Sequence, residues 1–394
     1  MNTFKSSVAA LLLTATAATA GGIDRTGNPY AVLFEEGNHV QLSFSSVTPD
    51  VTGAYLATFG GGSTGNMAEA YVSAGAALKF GLTDSIDVGL FINQPYGANA
   101  LYPDGAYTGL GADWESNQVA LVLKYQATSN ISVYGGARSI ESSATIAIPD
   151  LLIRSGLNAA ATNPATPAAV AANAGALAGG APAGTLAYTA TANADRQTSY
   201  IAGVAYERPD IALRVALTYE SGYTHAFATT EAIAAVPSVS GDTTTEIEIP
   251  QSVTLDFQSG IAADTLLFGS VRWSEWSVWE VRPAGYAALT SGDRVTGLDN
   301  DVFTYRVGVG RKINDRLSVF GRVTHETSNG GEASRLAPTD GSTAFGIGGT
   351  YTMENIKLTG GIEYVTFGEA TDATGTIFAD NTALGFGLSV GYSF

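Results

Sequence analysis

Cysteine is absent from the 394-residue chain, which excludes a disulfide framework, thiolate catalysis and Cys-based zinc sites. Charge is scarce as well. Only 14% of residues are charged, against about a quarter in an ordinary soluble domain. Basic charge is scarcer still: 19 Lys and Arg face 36 Asp and Glu, for a net charge of −17. Nucleic acid needs a basic footprint, so no nucleic-acid partner is expected. Beyond the N-terminus no stretch reaches the roughly 18 uncharged apolar residues of a spanning helix. No nucleotide motif appears, so no cofactor is expected. His39, His225 and His325 have neither an i,i+4 partner nor metal spacing. No loop resembles an EF-hand, although the acidic segments offer ligands for Ca²⁺ or Mg²⁺ bridging lipopolysaccharide phosphates.

What is present points to a membrane by another route. Lys5, the apolar run Val8 to Ala15 and the small residues Ala18-Thr19-Ala20 read as a secretory signal over residues 1–20. Glycine is abundant (47 residues) and period-2 alternation runs through nearly the whole remainder. The alternating segments fall near 38–48, 67–80, 84–95, 117–127, 131–142, 196–207, 211–222, 248–259, 264–277, 299–311, 316–327, 342–352, 356–367 and 382–394, which makes fourteen. Long links alternate with short ones such as Gly81-Leu82-Thr83, Thr128-Ser129-Asn130 and Arg208-Pro209-Asp210. Outer-membrane barrels arrange outer loops and periplasmic turns in that rhythm, and an even strand count puts both termini on the periplasmic side. The expectation is therefore an all-β, fourteen-stranded antiparallel transmembrane β-barrel over 38–394, with residues 21–37 inside its lumen as a short plug and a longest outer loop at 143–195.

The faces sort as a barrel requires. In the last segment Leu384, Phe386, Leu388, Val390, Tyr392 and Phe394 share one side, and Ala383, Gly385, Gly387, Ser389, Gly391 and Ser393 the other. Elsewhere Leu213, Val215, Leu217 and Tyr219 oppose Arg214, Thr218 and Glu220, while Leu317, Val319 and Val323 oppose Arg322 and Glu326. Lipid tolerates the first sets and a polar lumen the second. Tyr55, Tyr102, Tyr125, Trp273, Trp276, Tyr364 and Phe394 are expected in interfacial girdles, with Trp276 and Trp279 lining the mouth as the other choice.

Several segments carry a family resemblance: Ile249-Pro250-Gln251-Ser252-Val253, then Ser270-Val271-Arg272-Trp273-Ser274-Glu275-Trp276-Ser277, Asn93-Gln94-Pro95-Tyr96-Gly97, and the Phe-terminated last strand. Together they span nearly the whole mature chain, which resembles the long-chain fatty acid and aromatic-hydrocarbon transporter family (FadL-like). The resemblance implies a barrel plugged by an N-terminal hatch, a hydrophobic tunnel, and a kink in the third strand that opens the wall sideways. It also implies a monomer that takes fatty acids or hydrocarbons and sits among outer-membrane lipid and lipopolysaccharide after insertion by the barrel-assembly machinery. The chain departs from the family's Asn-Pro-Ala hatch motif, having Asn28-Pro29-Tyr30.

The candidate site residues follow. Pro95 lacks an N–H and Gly97 permits a bend. Phe91, Asn93, Pro95, Tyr96 and Gly97 thus border either a hole in the wall or simply the end of a strand. Val32, Leu33 and Phe34 of the hatch either touch ligand or anchor the plug. Inward arginines, Arg138, Arg272 and Arg306 foremost, either bind a carboxylate or pair with lumen acids such as Glu220, Asp256, Glu326 and Glu363. Within 143–195, Leu151 to Ile153 and the run around Val170 suggest short helices that capture ligand, unless the loop is flexible low-complexity chain. Gly61-Gly62-Ser63-Thr64-Gly65 matches a nucleophile-elbow pattern but lies in a Gly-rich loop rather than between strand and helix. Passive uptake of hydrophobic molecules is the leading function and no enzyme is expected. A general diffusion porin is the alternative, with an outer-membrane lipid hydrolase behind it.

Overall fold

The computed structural model describes residues 23–25 and 29–394. The expected signal segment 1–20 lies outside the described residues, as do 21–22 and 26–28 of the expected hatch.

Alternation gives fourteen antiparallel strands, three of them broken in two. Strand β1 (His39–Asp50) pairs with β2 (Tyr71–Thr83) on one edge and with β14 (Thr382–Ser393) on the other, so the sheet closes on itself. Closure satisfies the backbone in lipid and abolishes the exposed edge. Between them run β3 (Ile86–Asn93, resuming at Gly97–Leu101), β4 (Gly111–Gln126), β5 (Ile131–Ile148), β6 (Tyr188–Arg208), β7 (Leu213–Glu220 and Tyr223–Ile233) and β8 (Gly241–Ile249 and Ser252–Ala262). Then follow β9 (Thr265–Ser274), β10 (Val302–Lys312), β11 (Leu317–Glu326), β12 (Ser342–Met353) and β13 (Ile356–Phe367). Every second connection is a tight turn, and those at Asp264 and Glu354 use a left-handed residue. The other connections are long and gather at the opposite end of the barrel.

Leu384, Phe386, Val390, Tyr392 and Phe394 are exposed and Ala383 is buried; Leu217 and Tyr219 are exposed while Thr218 and Glu220 are buried. The outside is thus apolar and the bore polar, as lipid demands. Of the expected girdle, Tyr125, Tyr364 and Phe394 face outward, but Tyr55, Tyr102 and Trp276 are buried. Strand β9 ends at Ser274 and the chain turns inward through a short 3-10 turn (Trp276–Val278), carrying Trp276 with it.

Two boundaries differ from expectation. Ile249-Pro250 does not open a strand; Pro250 interrupts β8, because proline cannot donate to the ladder. The loop expected at 143–195 is shorter. Strands β5 and β6 run on to Ile148 and Tyr188, paired there as Ile148↔Tyr188. Small Ala and Thr residues fill this extension, so it lacks the strong apolar alternation of a lipid-facing strand. The true loop holds helix α1 (Asp150–Thr162) and helix α2 (Ala168–Gly180) packed together, with Leu152, Ile153 and Leu157 buried.

Asp150 and Arg154 clasp this hairpin. Arg154 pairs with Asp150 at 2.9 Å and donates to the carbonyls of Ala178 and Ala181 at the end of α2, while Asp150 accepts from the Leu186 N–H at 2.8 Å. The Arg154 hydrogen bonds hold the Asp150 carboxyl below its ordinary range. A depressed carboxylate pKa stabilises the fold above the unfolded value and loses that contribution as pH falls through the folded one. Asp150→Asn is therefore expected to cost about 1 kcal/mol locally. Hydrogen exchange should show roughly fivefold lower protection at Leu186 and along α1 at neutral pH, and acidification should reproduce this in the wild type. Unchanged protection would remove the clasp.

Candidate functional site: a lumen cavity beside a gap in the wall

The described hatch residues pack against the wall of the lower lumen. Residues Pro29–Phe34 form a 3-10 helix, with Tyr30, Val32 and Leu33 buried against Ala77, Phe91, Ala120, Val122, Tyr134 and Ile201. Tyr30 meets Phe91 edge-on at 5.2 Å. Phe34 lies between the Lys124 ammonium (4.9 Å) and the Arg214 guanidinium (4.7 Å). Below it, Lys79 donates to the Glu35 carbonyl at 2.6 Å, Lys124 to the Leu33 carbonyl at 3.2 Å, and Lys357 pairs with the Glu35 carboxylate at 2.6 Å. Full burial of a Leu side chain stabilises by about 1.5–3 kcal/mol, so this is a firmly seated plug.

Above the plug lies a charged belt. Glu220 accepts from Arg138 (2.8 Å), Arg272 (3.0 Å), the Tyr30 hydroxyl (3.1 Å) and Ser252 (3.2 Å). Asp24 stands 3.8 Å from Arg272. Two carboxylates thus balance two guanidiniums, which makes burial of all four tolerable. Arg306 donates to Thr324 at 3.3 Å on the far wall, near the Arg322–Glu363 ion pair.

Strand β3 breaks beside this belt. It pairs with β2 as far as Ala76↔Ile92; above that the Ala74 N–H donates to the Gln94 side chain at 3.3 Å, and the next backbone tie is Glu69 N–H to the Asn99 carbonyl at 3.1 Å. Between those points the β2–β3 ladder is open among the described residues. The freed groups of β3 turn inward. Arg25 N–H donates to the Pro95 carbonyl and Gly97 N–H to the Ile23 carbonyl, both at 2.8 Å. Ser116 accepts from the Tyr96 N–H at 2.8 Å and donates to its carbonyl at 2.6 Å. Residues Ile23 to Arg25 thereby form a short strap on the bent strand.

The cavity opens above this strap, with a volume of about 150 Å³. Its room comes from alanines on β3 to β6: Ala98, Ala100, Ala112, Ala144, Ala190 and Ala192. Trp114, Trp279, Ile247 and Leu298 form apolar walls, and Leu336 to Thr339 contribute from a long loop. Ile23, Asp24 and Arg25 line the side toward the gap.

The expected site residues divide accordingly. Pro95, Tyr96 and Gly97 meet the strap, and Gly97 also lines the cavity; Asn93 accepts from Gln118 at 3.0 Å just below. Phe91 lies lower, in the hatch core, and the strand does not end at Pro95 but resumes at Gly97. Val32, Leu33, Phe34, Arg138, Arg272 and Arg306 are not among the cavity residues. The arginines belong to ion-pair and hydrogen-bond networks, and the cation at the cavity is Arg25. Sequence reasoning passed over Arg25, Asp24 and Trp114; the one available signal was the set of alanines at alternate positions of neighbouring strands.

Ser63 accepts from the Gly65 N–H at 3.1 Å. The hydrogen-bonding partners of the histidines are Ser393, Asp195 and Thr343, so no Ser–His pair forms around Ser63 among the described residues. His225, expected just past a strand, lies within the upper part of β7 with Nδ1 2.7 Å from Asp195.

A closed barrel with an apolar exterior, a seated plug and a cavity next to an interrupted ladder defines a plugged membrane channel. The sequence matches the family described as outer membrane protein transport protein (OMPP1/FadL/TodX) over residues 2–394, and the chain belongs to that family of outer-membrane proteins. Its fold is similar to that of a Pseudomonas aeruginosa FadL homologue (14% identity, 93% of each chain, TM-score 0.70). It is also similar to the P. putida toluene transporter TodX (14%, 93% of each chain, TM-score 0.65) and the Ralstonia pickettii toluene transporter TbuX (14%, 98% of this chain and 100% of that one, TM-score 0.60). No curated protein sequence matches this one.

Proposed function

We propose that the barrel passively imports small uncharged-to-weakly polar hydrophobic compounds, hydrocarbons foremost, with its long loops facing outward and both termini in the periplasm. Ligand enters among the long loops, rests in the cavity and leaves sideways between β2 and β3 into the membrane. The observation that carries this is the alanine-lined cavity next to the open β2–β3 ladder. A cavity of about 150 Å³ matches the size at which an apolar protein cavity holds benzene, which favours single-ring or short-chain ligands over long fatty acids. Two similar folds belong to toluene transporters, in keeping with that size. Sideways release keeps the ligand out of water, where each exposed CH₂ would cost about 0.8 kcal/mol. Phe91, Val32, Leu33 and Phe34 act in this scheme by seating the plug below the cavity, and Arg138 and Arg272 by holding the belt between plug and cavity.

The test is binding against conductance. Single-ring hydrocarbons should quench the fluorescence of Trp114 and Trp279 in the purified barrel, while planar bilayers containing it carry little steady ionic current. A large current indifferent to hydrocarbon, with no quenching, would sink the proposal in favour of a general diffusion porin.

A further inference from the structure

We propose that Arg25 is the movable bolt of the gap between β2 and β3, and that the exit it guards passes uncharged molecules and rejects carboxylates. The inference rests on the transport function above and adds which residue gates the exit and what chemistry it admits.

Arg25 crosses the wall. Its backbone is tied to Pro95 on the inner side of the bent strand. Its guanidinium lies 4.1 Å from the centre of the Tyr71 ring on β2, a cation–π contact. The same group donates to the Asn99 side chain on β3, and Asn99 in turn donates to Asp113 on β4. The Arg25 side chain therefore spans from β2 to β3 at the upper end of the open stretch, above the bond between Gln94 and the Ala74 N–H. Gly97 lies directly beneath it: a Cβ there would collide with the guanidinium. The glycine that the sequence marks as a bend is equally the slot in which the bolt lies.

The strap can leave without unmaking the barrel. The lower hatch is anchored separately, by the Pro29–Phe34 core and the lysines around Glu35. Strand β3 keeps its whole pairing with β4, and Ser116 holds both backbone groups of Tyr96. Peeling back the strap costs its two backbone hydrogen bonds to Pro95 and Gly97, the Asp24–Arg272 contact, and the charge-assisted and cation–π contacts of Arg25, but breaks no strand-to-strand ladder.

The rim that remains is anionic. Alternation buries Trp114 and Ser116 in the bore and puts Asp113 and Glu115 on the other face, beside Asn99 and Gly97 of β3. The nearby cations Arg138 and Arg272 are already committed to Glu220. Once Arg25 swings out, a departing carboxylate meets like charge in a poorly hydrated passage. A neutral ring meets the Tyr71 face, the flank of Gly97 and the uncharged Gln94 side chain that bonds to the Ala74 N–H.

Toluene and benzoate share a ring and differ in charge, so they separate the two halves of the idea. The full-length barrel in lipid nanodiscs is loaded with each probe, and release is followed by stopped-flow recovery of tryptophan fluorescence. Arg25→Gln and Arg25→Ala should release toluene at least about tenfold faster than wild type, the factor that a loss of about 1.4 kcal/mol produces, and Arg25→Lys should fall between. Asp113→Asn, which weakens the latch through Asn99, should also speed toluene release. It keeps the gate testable if the Arg25 variants lose the folded band on unheated gels. Asp113→Asn with Glu115→Gln should speed benzoate release relative to toluene. Toluene release that ignores Arg25 overturns the gate while leaving the transport function intact. Wild-type barrel that releases benzoate as fast as toluene overturns the charge selection. Failure of both probes to quench overturns the transport function and the gate together.

Discussion

Replacing Glu220 with alanine is expected to destabilise the barrel by about 3–5 kcal/mol, the usual cost of leaving a buried charge without its partner. Arg138 is almost fully buried and has Glu220 as its ion-pair partner. Arg272 would be left with Asp24 at 3.8 Å. The same substitution removes the acceptor of the Tyr30 hydroxyl, which joins the hatch to the wall. Two measurements should therefore move together: the denaturant midpoint falls, and ionic conductance in planar bilayers rises as the plug loosens. Glu220→Gln keeps the shape and an acceptor for Tyr30, so it should cost less. Tyr30→Phe leaves the ion pairs whole and should cost least, about 1 kcal/mol for one hydrogen bond. A midpoint and conductance in Glu220→Ala equal to those of wild type would show that the belt does not hold the plug.

Filling the cavity is the second large effect. Ala144 and Ala192 face it from β5 and β6, and both stand where a larger side chain would project into the open space. Ala144→Phe or Ala192→Trp should displace a ring-sized ligand while leaving the outward faces of the strands unchanged. A ligand that loses about 100 Å² of apolar contact loses about 2.5 kcal/mol at ~25 cal/mol per Å², roughly a 70-fold drop in affinity. Titration of a single-ring hydrocarbon by tryptophan quenching measures this directly, with the heat-shifted gel mobility of the folded barrel as the control for assembly. Affinity within a factor of two of wild type in both variants would place the binding site elsewhere.

The two variant sets act on different layers of one stack. From the short-turn end upward come the lysine-tied hatch, the Glu220 belt, the strap with Arg25, and the alanine-lined space beneath the long loops. Glu220 holds the hatch in place, whereas Arg25 and the alanines shape what passes above it. Because these layers share few partners, their effects should be nearly additive, with the exception of Asp24, which touches both belt and cavity.

How much of this was legible beforehand depends on the range of the interactions involved. Strand number, the sidedness of residues such as Leu217 and Glu220 and the short turns arise from patterns within a dozen residues, so they were readable along the chain, whereas Pro95 and Gly97 fitted a strand end as well as a kink and only the family resemblance favoured the kink. The upper parts of β5 and β6 were not. Their Ala and Thr residues stand beyond the lipid-facing stretch and carry no strong apolar signal, and only pairing across the intervening helices reveals them. Nor could a linear pattern tell which inward arginine meets the cavity. Arg138 and Arg272 converge on Glu220 from different strands, and Arg25 reaches the gap only because the N-terminal segment folds back on β3.

By itself, then, the sequence determined the barrel and its apolar outside, since period-2 alternation acts locally, and it marked an interruption at Pro95 without deciding whether the strand ends or resumes there. The tertiary structure alone decided where the empty space lies, which charges are spent in pairing and which residue lies across the gap. Those depend on side chains far apart in the chain meeting inside a closed cylinder, and closure is a property of the whole sheet rather than of any segment.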